Sequence, residues 1–87
     1  MDYDSRVLGR LIAGLRRQRG MTQEVLSGLA GTARSNLVGI EKGGRDTGMQ
    51  TFWRIAEGLN LRPSELMRMA EEAMGKDANW PEAEKRN

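Results

Sequence analysis

Apolar residues fall at helical spacing in five successive stretches, and no stretch alternates over enough residues to argue for a strand. Val7, Leu8, Leu11, Ile12 and Leu15 repeat at i, i+3, i+4 and i+7, which predicts a first helix over about 5–19, closed by Gly20. Thr22 is placed to cap a second helix over about 23–30, with Val25, Leu26, Leu29 and Ala30 as its inner face and Gly31 as its stop. A third helix over about 33–41 carries Leu37 and Ile40 on one side. Lys42-Gly43-Gly44-Arg45-Asp46 is a loop by composition. Thr47 with Gln50 has the form of a capping box for a fourth helix, whose buried stripe is Met49, Phe52, Ile55, Ala56 and Leu59. Pro63 favours a new start, and Leu66, Met69, Ala70, Ala73 and Met74 define a fifth helix over about 63–75. The expected architecture is all-α: five helices in a single domain over 1–75, then a polar tail over 76–87 that contains Trp80.

A chain of 87 residues leaves room for one small core. Cysteine and histidine are both absent, which removes disulfides, thiolate metal sites, a cysteine nucleophile and the commonest general base and zinc ligand. An enzyme is not expected, nor is a metal or cofactor. No apolar stretch reaches the roughly 18 residues a membrane span needs. The N-terminus Met1-Asp2-Tyr3-Asp4 is acidic, so neither secretion nor insertion is expected and the cytoplasm is the expected compartment. The net charge of +2 conceals a segregation. Residues 6–62 hold ten bases against four acids, whereas residues 63–87 hold four bases against six acids and residues 1–5 two acids alone. A basic body with acidic ends fits a polyanion-binding surface, with a merely solvated face as the alternative.

The stretch from Gln23 to Glu41 carries the function. Two short helices joined by a tight turn that contains Gly31 describe a helix-turn-helix, here over about 22–41. Ser27 is small where the helices cross, and Leu26, Ala30, Leu37 and Ile40 share one face that locks the pair. The opposite face of the second helix is then free to enter a DNA major groove, which is about 12 Å wide and admits one α-helix. Gly43-Gly44 in a basic loop lacks the strand and the Lys-Ser/Thr of a phosphate-binding P-loop, so it is read as loop alone.

Five ordered pieces resemble the phage-repressor or Xre-like (lambda-repressor-like) helix-turn-helix family over about residues 7–66. They are Gly9-x-x-Ile12-x-x-x-Arg16-x-x-x-Gly20-Met-Thr-Gln23-Glu-x-Leu26, then Gly31, then Ile40-Glu41-Lys-Gly43-x-Arg45, then Thr51-Phe52-x-x-Ile55-Ala56-x-x-Leu59, and Pro63-x-x-Leu66. The resemblance implies a five-helix domain that binds operator DNA as a homodimer and regulates transcription. Carried over at matching positions, it puts Thr22 and Gln23 at a backbone phosphate, with Gln23 as an ordinary first-turn polar residue the alternative. Arg34, Ser35, Asn36, Val38 and Gly39 fall on the face that reads bases. An arginine fork matches guanine O6 and N7, a valine can meet a thymine methyl, and Gly39 lets the backbone come close. Arg34 has a phosphate contact or plain solvation as its alternative. Lys42 and Arg45 are expected at phosphates, and Arg16 with Glu41 resembles the family's internal ion pair. Ala33 stands where a capping Ser or Thr is frequent, a loss of about 1 kcal/mol unless Thr32 caps instead.

The fifth helix has apolar residues on more of its circumference than one neighbour can cover. Leu66, Met67, Ala70 and Met74, with Trp53 at the margin, are therefore the expected subunit contacts, with core filling the alternative role for the methionines. The reading is a small regulator that binds double-stranded DNA at an inverted repeat, of the kind found as restriction–modification controllers, phage-type repressors or antitoxin-like autorepressors. Its rival is a protein-interaction module of the same fold that binds a toxin or polymerase subunit.

Overall fold

The computed structural model describes residues 2–75, so the tail over 76–87 with Trp80 lies outside the described residues. In chain order the helices are α1 (Ser5–Gln18), α2 (Gln23–Leu29), α3 (Arg34–Glu41), α4 (Met49–Gly58) and α5 (Pro63–Met74), with no strand among the described residues. Their principal contacts form a ring in which α1 packs on α3, α3 on α2, α2 on α4, α4 on α5 and α5 back on α1. Ile12, Leu26, Leu37, Ile40, Ile55, Leu59 and Leu66 fill its centre as its largest fully buried side chains. Each such leucine or isoleucine adds roughly 1.5–3 kcal/mol by leaving water.

Local chemistry sets the helix ends. The Asp4 carboxylate accepts from Arg6 N–H at 2.9 Å and so caps α1. That bond, with the nearby Arg6 charge, holds the Asp4 carboxyl below the ordinary carboxylate range. Thr22 Oγ1 accepts from Val25 N–H at 3.1 Å and caps α2. Gly31 adopts φ +63° in the turn between α2 and α3, a conformation a side chain would resist. At α5 the Glu65 carboxylate accepts from Arg62 N–H at 2.8 Å, while arginine, which has only donors, returns no bond from its side chain. Arg19 Nε donates to Leu59 O at 2.7 Å and ties the end of α1 to the end of α4.

The structure departs from the sequence pattern at several apolar positions. Val25 and Leu29, whose spacing places them on the inner face of α2, are 49% and 58% exposed, because Leu26, Ser27 and Ala30 already fill the contact with α3 and α4. Met49 is 61% exposed at the first residue of α4, where Phe52 a turn later is the first side chain to reach the core. Thr47 is not the cap of α4: the N-cap is Gly48, and the Thr47 hydroxyl donates to Gly48 O at 3.3 Å. No helix of the described residues is long and apolar enough to cross a membrane.

Candidate nucleic-acid interface

Glu41, the last residue of α3, is buried and anchors the site. Its Oε2 accepts from Arg16 Nε at 2.7 Å, and its Oε1 accepts from Arg16 Nη2 at 3.1 Å and from Gln23 Nε2 at 2.9 Å. Arg16 Nη1 donates in turn to Met21 O at 2.8 Å. One carboxylate thus joins α1, the first residue of α2 and the end of α3, and no buried side-chain polar atom among the described residues lacks a partner. A pair this well satisfied fixes orientation, since breaking it would strand a buried charge. The Gln23 side chain, expected at a phosphate, is turned to Glu41, and Thr22 is occupied as a cap. Both border a shallow hollow shared with Glu24, Arg16 and Arg34.

Clamped at its end by Glu41 and along one side by Leu37 and Ile40, α3 turns its other side outward. Arg34 and Ser35 are exposed there, and Asn36, Val38 and Gly39 are half-buried. Ala33, at φ −65° and ψ 143°, holds the N-cap position without a capping bond. Thr32 does not replace it, because its hydroxyl accepts from Asn36 Nδ2 at 2.9 Å instead of from a backbone N–H.

The loop after α3 is built onto the start of α1. Gly43 sits at φ +78° with its α-carbon against Arg6, where a Cβ would come within 2.7 Å of the Arg6 α-carbon, and Ser5 Oγ donates to Gly43 O at 3.1 Å. Lys42 and Arg45 are exposed on this loop. The space above Gly39, where the bare backbone of α3 is expected to come close to DNA, is occupied by the stem of Arg45, whose Nη1 lies 3.4 Å from Asn36 Oδ1.

Gly9 was legible only as part of a family motif, yet it sets the whole site. A Cβ there would collide with the carbonyl oxygens of Ile40 and Glu41, so α1 can approach the end of α3 closely enough for Arg16 to reach Glu41 only because that position is bare. Ser5 is a further participant that helical spacing could not reveal, since its partner is 38 residues away in another segment, and Thr32, weighed in the sequence only as a cap, instead orients Asn36 four residues on.

On α4 and α5, Met49, Trp53 and Met67 are exposed, with Tyr3 nearby at the chain start. Tyr3, Leu8, Met49, Phe52, Met67 and Met74 line an apolar groove of about 330 Å³ there. Burial, with Asp46 and Asp4 close by, pushes the Tyr3 hydroxyl above the ordinary tyrosine range. Of the expected subunit contacts, Leu66 is fully buried in the monomer core and Ala70 is 4% exposed. The two are corrected to core positions, Ala70 also edging the groove. Met67 and Trp53 remain available at the surface, and Met74 is half-buried.

Comparison with known proteins places this geometry. A helix-turn-helix domain family model matches residues 9–72. The chain is 30% identical over 67 residues to the uncharacterized HTH-type transcriptional regulator y4dJ of Sinorhizobium fredii, a match covering 77% of this chain and 87% of that protein. Among solved structures, the restriction-modification controller protein C.AhdI of Aeromonas hydrophila superposes with a TM-score of 0.70 at 33% identity, covering 72% of this chain and 96% of that one. The tetramer of the controller C.Esp1396I on its natural 35 base-pair operator has the same fold, with a TM-score of 0.75 at 23% identity over 85% of this chain and 97% of that one. The clamped α2–α3 pair, the family match across most of the described residues and the regulator relative agree: the chain belongs to the helix-turn-helix domain family and is a transcriptional regulator of that type.

Proposed function

We propose that this regulator acts as a homodimer on an inverted-repeat operator in double-stranded DNA, in the cytoplasm and on nucleoid DNA, with α3 in the major groove. The reading invokes no metal, cofactor or catalytic step. The observation that carries it is the two-sidedness of α3. Leu37, Ile40 and Glu41 are locked into the core, while Arg34 and Ser35 stand free on a segment where bases outnumber acids. Lys42 follows in the next loop, within reach of the phosphates that flank a groove entered by α3. The operator-bound tetramer of C.Esp1396I, alike in fold, and the controller C.AhdI lend support. Exposed Met49, Trp53 and Met67 supply the apolar surface for a two-fold contact, which would set the two α3 helices about 34 Å apart and the half-site centres about 10 bp apart.

Selection of bound duplexes from genomic fragments, followed by titration at several salt concentrations, tests this. The expected result is an inverted repeat with that spacing and an affinity that falls linearly on a log–log plot against salt. Absence of duplex binding even at low salt overturns it and favours a second reading, a protein-interaction module. The exposed Val25 and Leu29, one turn apart on α2, are the feature that favours this rival.

A further inference from the structure

The side chain of Arg45 lies along α3 instead of extending from its loop. A Cβ built on Gly39 would stand 2.9 Å from Arg45 Cδ, 3.0 Å from Nε and 3.1 Å from Cγ, so three consecutive atoms of the arginine stem cross the bare α-carbon of Gly39. Backbone bonds hold the loop in place: Gly44 N–H donates to Gly39 O at 3.0 Å and Gly43 N–H to Ile40 O at 3.0 Å. From this seat Arg45 Nη1 reaches Asn36 Oδ1 at 3.4 Å, one turn nearer the start of α3. Asn36 is itself oriented, because its Nδ2 donates to Thr32 Oγ1 at 2.9 Å. Turning the amide over would set its NH2 against the guanidinium, donor against donor.

We infer that Arg45 is a base-reading side chain and not a phosphate contact, and that Gly39, Asn36 and Thr32 are the residues that position it. The inference rests on the operator-binding reading above. A cation that serves a phosphate works as a point charge over a range of positions, whereas a fork that must meet guanine O6 and N7 needs its plane set. One bond to Asn36 uses one of five guanidinium donors and leaves a fork free for a base edge. Holding the stem over Gly39 before contact also lowers the rotamer freedom lost on binding. The bond to Asn36 is long and exposed, so it orients Arg45 and adds little to stability.

The test measures base preference over a pool of duplexes randomised within the selected operator, together with the salt slope on a nonspecific duplex. Arg45→Ala is expected to relax preference at one base pair per half-site by roughly tenfold and to leave the nonspecific slope unchanged. Gly39→Ala keeps every charge and is expected to relax the same base pair, with an unfolding midpoint as high as wild type or higher because alanine is the better helix former. Asn36→Ala and Thr32→Val are expected to act at that base pair too, and the Asn36→Ala/Arg45→Ala double variant to lose no more than Arg45→Ala alone. If Arg45→Ala weakens every duplex alike and lowers the slope by about one, Arg45 is a phosphate contact and the inference fails. Additive losses at two different base pairs would overturn the positioning role of Asn36. A wild type without salt-dependent duplex binding overturns the operator reading itself and this inference with it, an outcome visible before any variant is made.

Discussion

Glu41 carries more consequence than any other side chain of the site. Its carboxylate is shared by Arg16 and Gln23 in the interior, so Glu41→Ala leaves the Arg16 guanidinium buried without its partner. The expected cost is about 3–5 kcal/mol, read as a lower midpoint in denaturant unfolding of the free protein. Gly9→Ala is expected to destabilise by about 1–3 kcal/mol, toward the upper end because the obstacles are the backbone carbonyls of Ile40 and Glu41 and cannot rotate aside. The same unfolding experiment measures it. At the chain start the sign of a pH effect follows from Asp4. Its folded-state pKa lies below the unfolded value, so its capping contribution is present above that value and is lost as pH falls through the folded one. The advantage of wild type over Asp4→Ala in thermal midpoint is therefore expected at pH 6 and should shrink as the pH drops below about 4.

At the scale of elements, the ends of helices are where this protein has stability unused. Ala33 already has the extended conformation of an N-cap and makes no capping bond, so Ala33→Ser is expected to stabilise the fold by about 1 kcal/mol and raise the thermal midpoint. A lowered midpoint would mean that Ser at 33 disturbs the Thr32–Asn36 bond. The five helices were legible because each presents at least two core residues a turn apart, such as Leu8 with Ile12 or Phe52 with Ile55 and Ala56. The pattern misled where a helix is too short for its period to be defined. In α2, seven residues long, Val25 and Leu29 satisfy the spacing as well as Leu26 and Ala30 do, and only the positions of α3 and α4 decide which pair is covered. At α4, Thr47 and Gln50 satisfy a local rule, but the helix begins one residue later than that cap would start it, at Met49 after Gly48. The Arg16–Glu41 contact was foreseeable only through family resemblance, and the seat of Arg45 over Gly39 not at all, since it depends on how a glycine-rich loop folds back on the helix before it.

For the whole molecule, the proposed assembly turns on α5. Met67 is 45% exposed on α5, so Met67→Glu puts a charge into the proposed two-fold contact without touching the core. Sedimentation at micromolar concentration is expected to show a dimeric wild type and a monomeric variant that binds the inverted repeat at least about tenfold more weakly. A variant that stays dimeric and fully competent would move the interface away from α5. The ring of contacts bears on how such a protein would be controlled. Every helix is gripped between two others around one core, so α3 cannot shift against α2 without opening the ring and losing the burial of Leu26, Leu37 and Ile40 together. A reader this stiff offers an effector little to tilt. Occupancy of its target would then follow copy number: when subunits are scarce relative to their pairing constant, the dimer that can bind grows as the square of the chain concentration, and the dose of the protein becomes the signal.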